Sequence, residues 1–260
     1  MNFLANAFCL TLFLLFATPV MATMQVLNTV RYEGSQYNIV DYDPLQPILK
    51  ARSIDTKAWG LTDMNTGCWR GYVADFEILN DQLYLLKIRS CSDPKIIIDL
   101  KKLFPDEYKN GKVRAWWFTG SLNIGNKPQW ISYNYINYDN EMDLFIEQGK
   151  LKKAFAYDNS RTVPSKKYYE GKLALADFYK KELTPETFNQ ITTPISFLII
   201  NNENGTIEVI KFNDDLPPGV RDAIKEVTNK IRDWPIVYVK GKLKPISEYV
   251  YLKPVVQGKN

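Results

Sequence analysis

A hairpin signature in the first third of the chain sets the strongest constraint on its fold. Tyr72, Ala74, Phe76 and Ile78 alternate with Val73, Asp75, Glu77 and Leu79, the period of a strand with one face against a core. Leu83-Tyr84-Leu85-Leu86-Lys87-Ile88 answers it beyond Asn80-Asp81, a pair that tolerates the positive φ of a tight turn. Residues 71–79 and 82–90 are therefore predicted to pair antiparallel. Two strands alone are marginally stable in water, so the neighbouring sequence has to complete a sheet. Register about the turn sets Leu79 opposite Gln82 and carries Cys68 and Cys91 to the open end as diagonal neighbours. A small adjustment would let them bridge; a pair of separate buried thiols is the alternative.

Residues 23–159 read as one β-rich unit. Short helices are predicted near 45–51, with Pro47 in the first turn, and near 99–104, stopped by Pro105. Further strands are expected over 112–124, 129–138 and 142–146. Residues 160–167 are polar and carry Pro164, the composition of a linker. A second unit, 168–260, follows. Its predicted order is an amphipathic helix over 172–182, a strand over 194–200, a hairpin turn at 201–205 and a returning strand over 206–212. Next come a helix over 219–231, with Val220, Ile224, Val227 and Ile231 on one face, and a last strand over about 246–256. The fold class that results is α+β: a mostly antiparallel β domain, then a small unit with helices on one face of an antiparallel sheet.

The N-terminus reads as a secretory leader. Residues 3–17 are apolar apart from Asn6 and Thr11, Thr18-Pro19 breaks the run, and Val20-Met21-Ala22 supplies small side chains for cleavage after Ala22. Export would place the mature protein in the periplasm or outside the cell, where Cys68 and Cys91 can oxidise. Left uncleaved, a run of this length would anchor the chain in the inner membrane.

Composition narrows the chemistry. The chain has no histidine, which removes Ser-His-Asp and Cys-His catalysis and His-ligated zinc sites. Its 33 basic and 29 acidic residues nearly balance and form no basic stretch, so nucleic acid is not an expected partner. Gly60, Gly67 and Gly71 do not make a phosphate loop, and no cofactor or metal is implied. Asp139, Glu141 and Asp143 recur at period two; they could line a strand face for a hard cation, but a solvated face explains them with fewer assumptions. Asp75 and Glu77 read as solvent-facing. Arg70, between Trp69 and Gly71, is expected to stack on Trp69 or to neutralise Glu77.

Several ordered features of the second unit resemble the C-terminal domain of TonB-type proteins. Tyr169-Glu170-Gly171 leads into a helix and Pro185; Asn204-Gly205 sits at the hairpin; Trp234-Pro235 ends the second helix; Gly241-Lys242 follows; Pro254-Val255 closes the last strand. The chain departs from that pattern in having Gly171-Lys172 in place of a double glycine, no histidine and no Pro-rich spacer. In the first unit, Cys68-Trp69-Arg70-Gly71-Tyr72 and Trp117-Phe118-Thr119-Gly120-Ser121-Leu122 are similar to an uncharacterised bacterial β-rich domain.

The TonB resemblance implies a surface that binds a peptide or protein by strand addition, an outer-membrane receptor-like protein being one such partner. The terminal strand is its natural place, with Ile246, Glu248, Val250 and Leu252 as partner-binding positions. Lys244, Pro245, Lys253 and Pro254 flank it, and such residues also guard edges against unwanted pairing. The expectation is a non-enzymatic exported binding protein. An inner-membrane component of a TonB-dependent transport system, or a hydrolase using paired carboxylates, are the alternatives.

Overall fold

The computed structural model describes residues 25–61, 67–132, 135–169, 174–202 and 206–254. The leader expected over 1–22, the hairpin residues Asn204 and Gly205, the Glu170-Gly171-Lys172 opening and Val255 lie outside them. Strand outweighs helix, 43% against 18%, so the chain is mostly β, with one large mixed sheet and few helices.

That sheet is nine-stranded. Its strands are β1 (Thr29–Tyr32), β2 (Ser35–Ile39), β3 (Tyr72–Leu79), β4 (Gln82–Ser90), β5 (Tyr108–Lys109), β6 (Lys112–Arg114), β7 (Gly120–Ser132), β8 (Tyr135–Glu147) and β9 (Lys150–Asp158). Hydrogen-bonded neighbours run β3-β1-β2-β7-β8-β9-β4, and β4 pairs β3 again, so the sheet returns on itself as a ring, with β6 and β5 branching from β4. Ring closure removes sheet edges. The β1–β3 pair is parallel, which makes the sheet mixed rather than wholly antiparallel.

The alternation in β3 holds from Ala74 onwards, whereas Val73, on the opposite parity, is buried as well. Tyr72, Ala74, Phe76 and Ile78 join Leu83, Leu85, Ile88, Leu122, Ile124 and Leu144 in one buried core, capped by Leu45, Ile48 and Leu49 around α1 (Gln46–Ala51) and by Leu100 and Phe104 around α2 (Leu100–Leu103). A bulge between Asp75 and Phe76 shifts the β3–β4 register, so that Tyr72 pairs with Ser90. That brings Cys68 and Cys91 to a Cα–Cα distance of 6.4 Å, and they are joined as a disulfide.

Three expected strands take other bounds. The run 112–124 is broken by turns at Trp116 and Trp117; β7 and β8 each extend further than expected, and the run 129–138 straddles both. At Gly125, within β7, the Tyr138 ring lies across the strand and leaves no room for a side chain: a Cβ there would sit 2.3 Å from the ring.

The second unit builds α3 (Lys166–Tyr169), α4 (Leu175–Glu182), α5 (Pro185–Asn189), β10 (Ile195–Asn201), β11 (Ile207–Phe212), α6 (Pro218–Thr228), β12 (Val237–Val239), β13 (Lys242–Lys244) and β14 (Ser247–Leu252). β11, β10 and β14 form a three-stranded antiparallel sheet in that order, and β12–β13 is a separate hairpin. Ile195, Phe197 and Ile199 of β10 are buried with Tyr179 of α4, Phe188 of α5, and Val220, Ile224 and Val227 of α6. The Tyr179 ring meets Phe197 edge-on at 5.1 Å. Its hydroxyl bonds to Thr228 Oγ1 at 2.6 Å, and burial pushes its pKa up to about 12.

Residues 160–167 are packed rather than extended as a tether. Thr162 and Ser165 are buried, and Val163 forms an antiparallel bridge with Ile236.

Candidate functional site

β14 borders the three-stranded sheet: β10 occupies one side, and among the described residues no strand pairs the other. Which of its residues can serve a partner follows from its phase against β10. Asn201 N donates to the Ile246 carbonyl, and Ile246 N donates to Asn201 Oδ1. In an antiparallel ladder the N–H and C=O of one residue point the same way and alternate along the strand. Ile246, Glu248, Val250 and Leu252 therefore spend their backbone groups on β10, while Ser247, Tyr249 and Tyr251 turn theirs outwards.

Side chains divide along the same parity. Val250 and Leu252 are buried in the core beneath the helices, with Ile246 packed against it. Tyr249 and Tyr251 stand on the opposite face, 48% and 64% exposed, with ring centroids 6.3 Å apart. Leu198 of β10 pairs with Tyr249 and extends this face inwards. The positions named from sequence thus hold the strand in place; their odd-numbered neighbours present it. The guard residue Lys244 is engaged elsewhere, its ammonium 4.6 Å above the Tyr135 ring.

The period-two carboxylates form a different kind of site. Glu141 and Asp143 lie on the outer face of β8, buried by the β12–β13 turn. Asp143 accepts from Lys240 Nζ at 2.9 and 2.6 Å, from Asn123 Nδ2 at 3.0 Å and from the Tyr157 hydroxyl at 3.1 Å. Glu141 accepts from Asn123 Nδ2 and Asn159 Nδ2, both at 2.8 Å, and from Lys240 N at 3.1 Å. Gly241 N donates to Asn159 Oδ1 at 2.8 Å.

Burial alone would raise the Asp143 carboxyl. Hydrogen bonds from Lys240, Asn123 and Tyr157, with the Lys240 charge, outweigh it and hold the group below the usual carboxylate range. The bond to Asp143 in turn holds the Lys240 ammonium above its ordinary value. Asp139 stands apart, bonded to Gln129. This cluster is a seam that fixes the second unit on the ring. Among the described residues no group of His, Cys, Asp and Glu is placed to hold a metal ion.

A further polar centre escaped the sequence reading. Asp43 accepts from the Tyr72 hydroxyl at 2.6 Å, Asn28 Nδ2 at 2.9 Å and Leu45 N at 3.1 Å. Burial, then the Asp43 charge, pushes the Tyr72 phenol well up. Arg70 joins this centre, 3.5 Å from Asp43 and bonded to the Val26 carbonyl at 2.7 Å, instead of stacking on Trp69 or reaching Glu77. Trp69, Tyr42 and Val40 line an open depression of about 280 Å³ beside it. No local motif marks Asp43; only the fold brings it to Tyr72.

The chain matches no protein-family model, no curated protein and no solved structure.

Proposed function

We propose that this is an exported, non-enzymatic binding protein that captures an extended peptide or protein segment as an added strand beside β14. The observation that carries the reading is the phase of that strand. Ser247, Tyr249 and Tyr251 turn their main-chain groups to an open border, and the two tyrosines stand beside it as contacts for the incoming side chains. Main-chain bonds supply affinity in this mode, and side-chain contacts supply selection. The reading of the second unit as a TonB-type C-terminal fold belongs to the same proposal and predicts the same use of a sheet border. Export is supported by the Cys68–Cys91 disulfide, since such bonds persist in oxidising compartments.

The test is selection of binders from a random peptide library by the intact protein, repeated on Tyr249→Pro. Proline at 249 takes away the exposed ring and an N–H that faces away from β10 while leaving the bonds to β10 in place, the kind of edge position where proline is tolerated. Peptides that bind the parent protein and lose binding to the proline variant support the reading. An empty selection, or binding indifferent to the substitution, overturns it.

A further inference from the structure

Two aromatic rings stand in solvent beside the Arg70–Asp43 pair. Trp69 is 58% exposed and Tyr42 46%, although large aromatic side chains contribute most when buried. Neither ring rides on loose chain. Trp69 N donates to Gln25 Oε1 at 3.1 Å, the preceding Cys68 is tied to Cys91, and Gly71 N closes the turn on the Cys68 carbonyl at 3.2 Å. On the neighbouring segment Val40 N donates to the Asn123 carbonyl at 2.8 Å, and Asp41 Oδ1 accepts from Asn123 N at 3.0 Å, which pins that segment to β7. The Tyr42 ring itself leans on Phe118, with centroids 5.6 Å apart. Rings held out by an anchored backbone are preorganised to receive a ligand.

The rings share the depression of about 280 Å³, and four planar polar groups line it with them: the Gln25 and Gln46 amides, the Asp41 carboxylate and the Arg70 guanidinium. Asp43 forms part of the wall but is spent on Tyr72, Asn28 and Leu45 N. Amide, carboxylate and guanidinium groups each present hydrogen-bonding atoms side by side, a spacing that matches neighbouring hydroxyls on a sugar ring. The same sugar ring offers a face of C–H bonds to an aromatic surface. We propose that this depression binds an uncharged saccharide, with C–H faces on Trp69 and Tyr42 and hydroxyls against Asp41, Gln46 and Arg70. Its volume is near the lower end of small-molecule sites, which suits one or two sugar units.

Other ligands fit the lining less well. A wholly apolar one would strip water from the four polar groups without replacing their hydrogen bonds. An anion finds no cation to spare among the lining residues, because the Arg70 charge faces Asp43 at 3.5 Å and Asp41 repels it. A quaternary ammonium ion would gain from the two rings but meets the Arg70 guanidinium beside them. The site belongs to the large ring rather than to the small sheet, so it stands or falls separately from the peptide border.

An array of neutral and acidic oligosaccharides, probed with the labelled intact protein, tests it. Capture of neutral oligosaccharides is expected. Trp69→Ala and Tyr42→Ala should each weaken it about tenfold by removing a stacking face. Trp69→Tyr, which keeps a ring, should recover most of the loss, and Tyr249→Pro should leave capture unchanged. With Trp69 mostly exposed, W69A should keep the parent melting temperature. An array that captures nothing overturns the proposal. So does capture indifferent to either alanine variant, capture of acidic oligosaccharides alone, loss of capture in Y249P, or a W69Y variant as deficient as W69A.

Discussion

The two sheets solve the problem of an unfinished border in opposite ways. The large sheet turns back on itself, burying Phe76, Leu85, Leu122 and Leu144 inside the circuit, and among the described residues stays incompletely paired where β9 meets β4 only at Lys150 and where β7 meets β2 only at Ile124 and Gly125. The small sheet does not close: side chains of α4, α5 and α6 share its core, and among the described residues no strand pairs the outer side of β14 or of β11. Closure uses many contacts distant in sequence to remove surface, whereas the helix-covered sheet keeps surface in reserve. The contrast teaches that alternation decides which side chains are buried, while strand order decides which backbone groups stay available.

Substitutions can break this contrast, the largest first. Phe76→Ala in the ring and Phe197→Ala in the small sheet each hollow a fully packed core and should cost about 3–5 kcal/mol. Because the cores are separate, hydrogen exchange read peptide by peptide should show F197A loosening β10, β11 and β14 while β3 and β4 stay protected. Loss of protection in both would make the molecule a single cooperative unit. Removing the Cys68–Cys91 link, whose sequence separation is 23, should destabilise the ring by about 3 kcal/mol through restored freedom of the unfolded chain, measured by urea titration of C68A/C91A. An unshifted midpoint would mean that the β3–β4 ladder holds that end alone.

The seam comes next. Lys240→Ala leaves Asp143 buried without its cation and should cost about 1–2 kcal/mol, the lower end reflecting the half-exposed lysine. Its pH dependence has a definite sign. The Asp143 carboxyl is depressed in the folded state, so its contribution is complete above the ordinary carboxylate pKa and fades as pH falls through the depressed value. Lys240 is raised, so its share is complete below the ordinary lysine pKa and fades only as pH climbs through the higher one. Asp143→Asn should flatten the acid limb of the stability profile; an unchanged limb would place the acid sensitivity elsewhere. Smallest of all, Tyr251→Ala should move stability by less than about 0.5 kcal/mol while weakening any captured peptide, which separates presentation from packing.

The β3–β4 hairpin was legible because Asn80 and Asp81 are residues that accept positive φ, and they adopt 49° and 60°. Two other tight turns were harder to read. Glu33-Gly34 and Gln148-Gly149 use the same left-handed pair of conformations, but Glu and Gln do not advertise them, and with those turns hidden β1, β2 and β9 are not legible. The turn at Gly241 is legible, and Lys240 and Gly241 adopt 51° and 71° there, but the short strands β12 and β13 on either side of it are not. β9 had a second disguise: exposed on both faces, it carries no apolar alternation to detect. Val220, Ile224 and Val227, by contrast, announced the buried stripe of α6 at helical spacing, and all three are buried; Ile231, expected to continue it, is buried as well but lies past the end of the helix at Thr228. The terminal strand was also visible, but not which parity looks outwards. That depends on the pairing of Asn201 with Ile246, a fact of partnership rather than of local pattern.

The Lys240 ammonium reaches Asp143 across 97 positions of chain. Every strand of the ring precedes that lysine, so the β12–β13 turn closes over a flank whose carboxylates already hold Asn123, Tyr157 and Asn159 and lack only a cation.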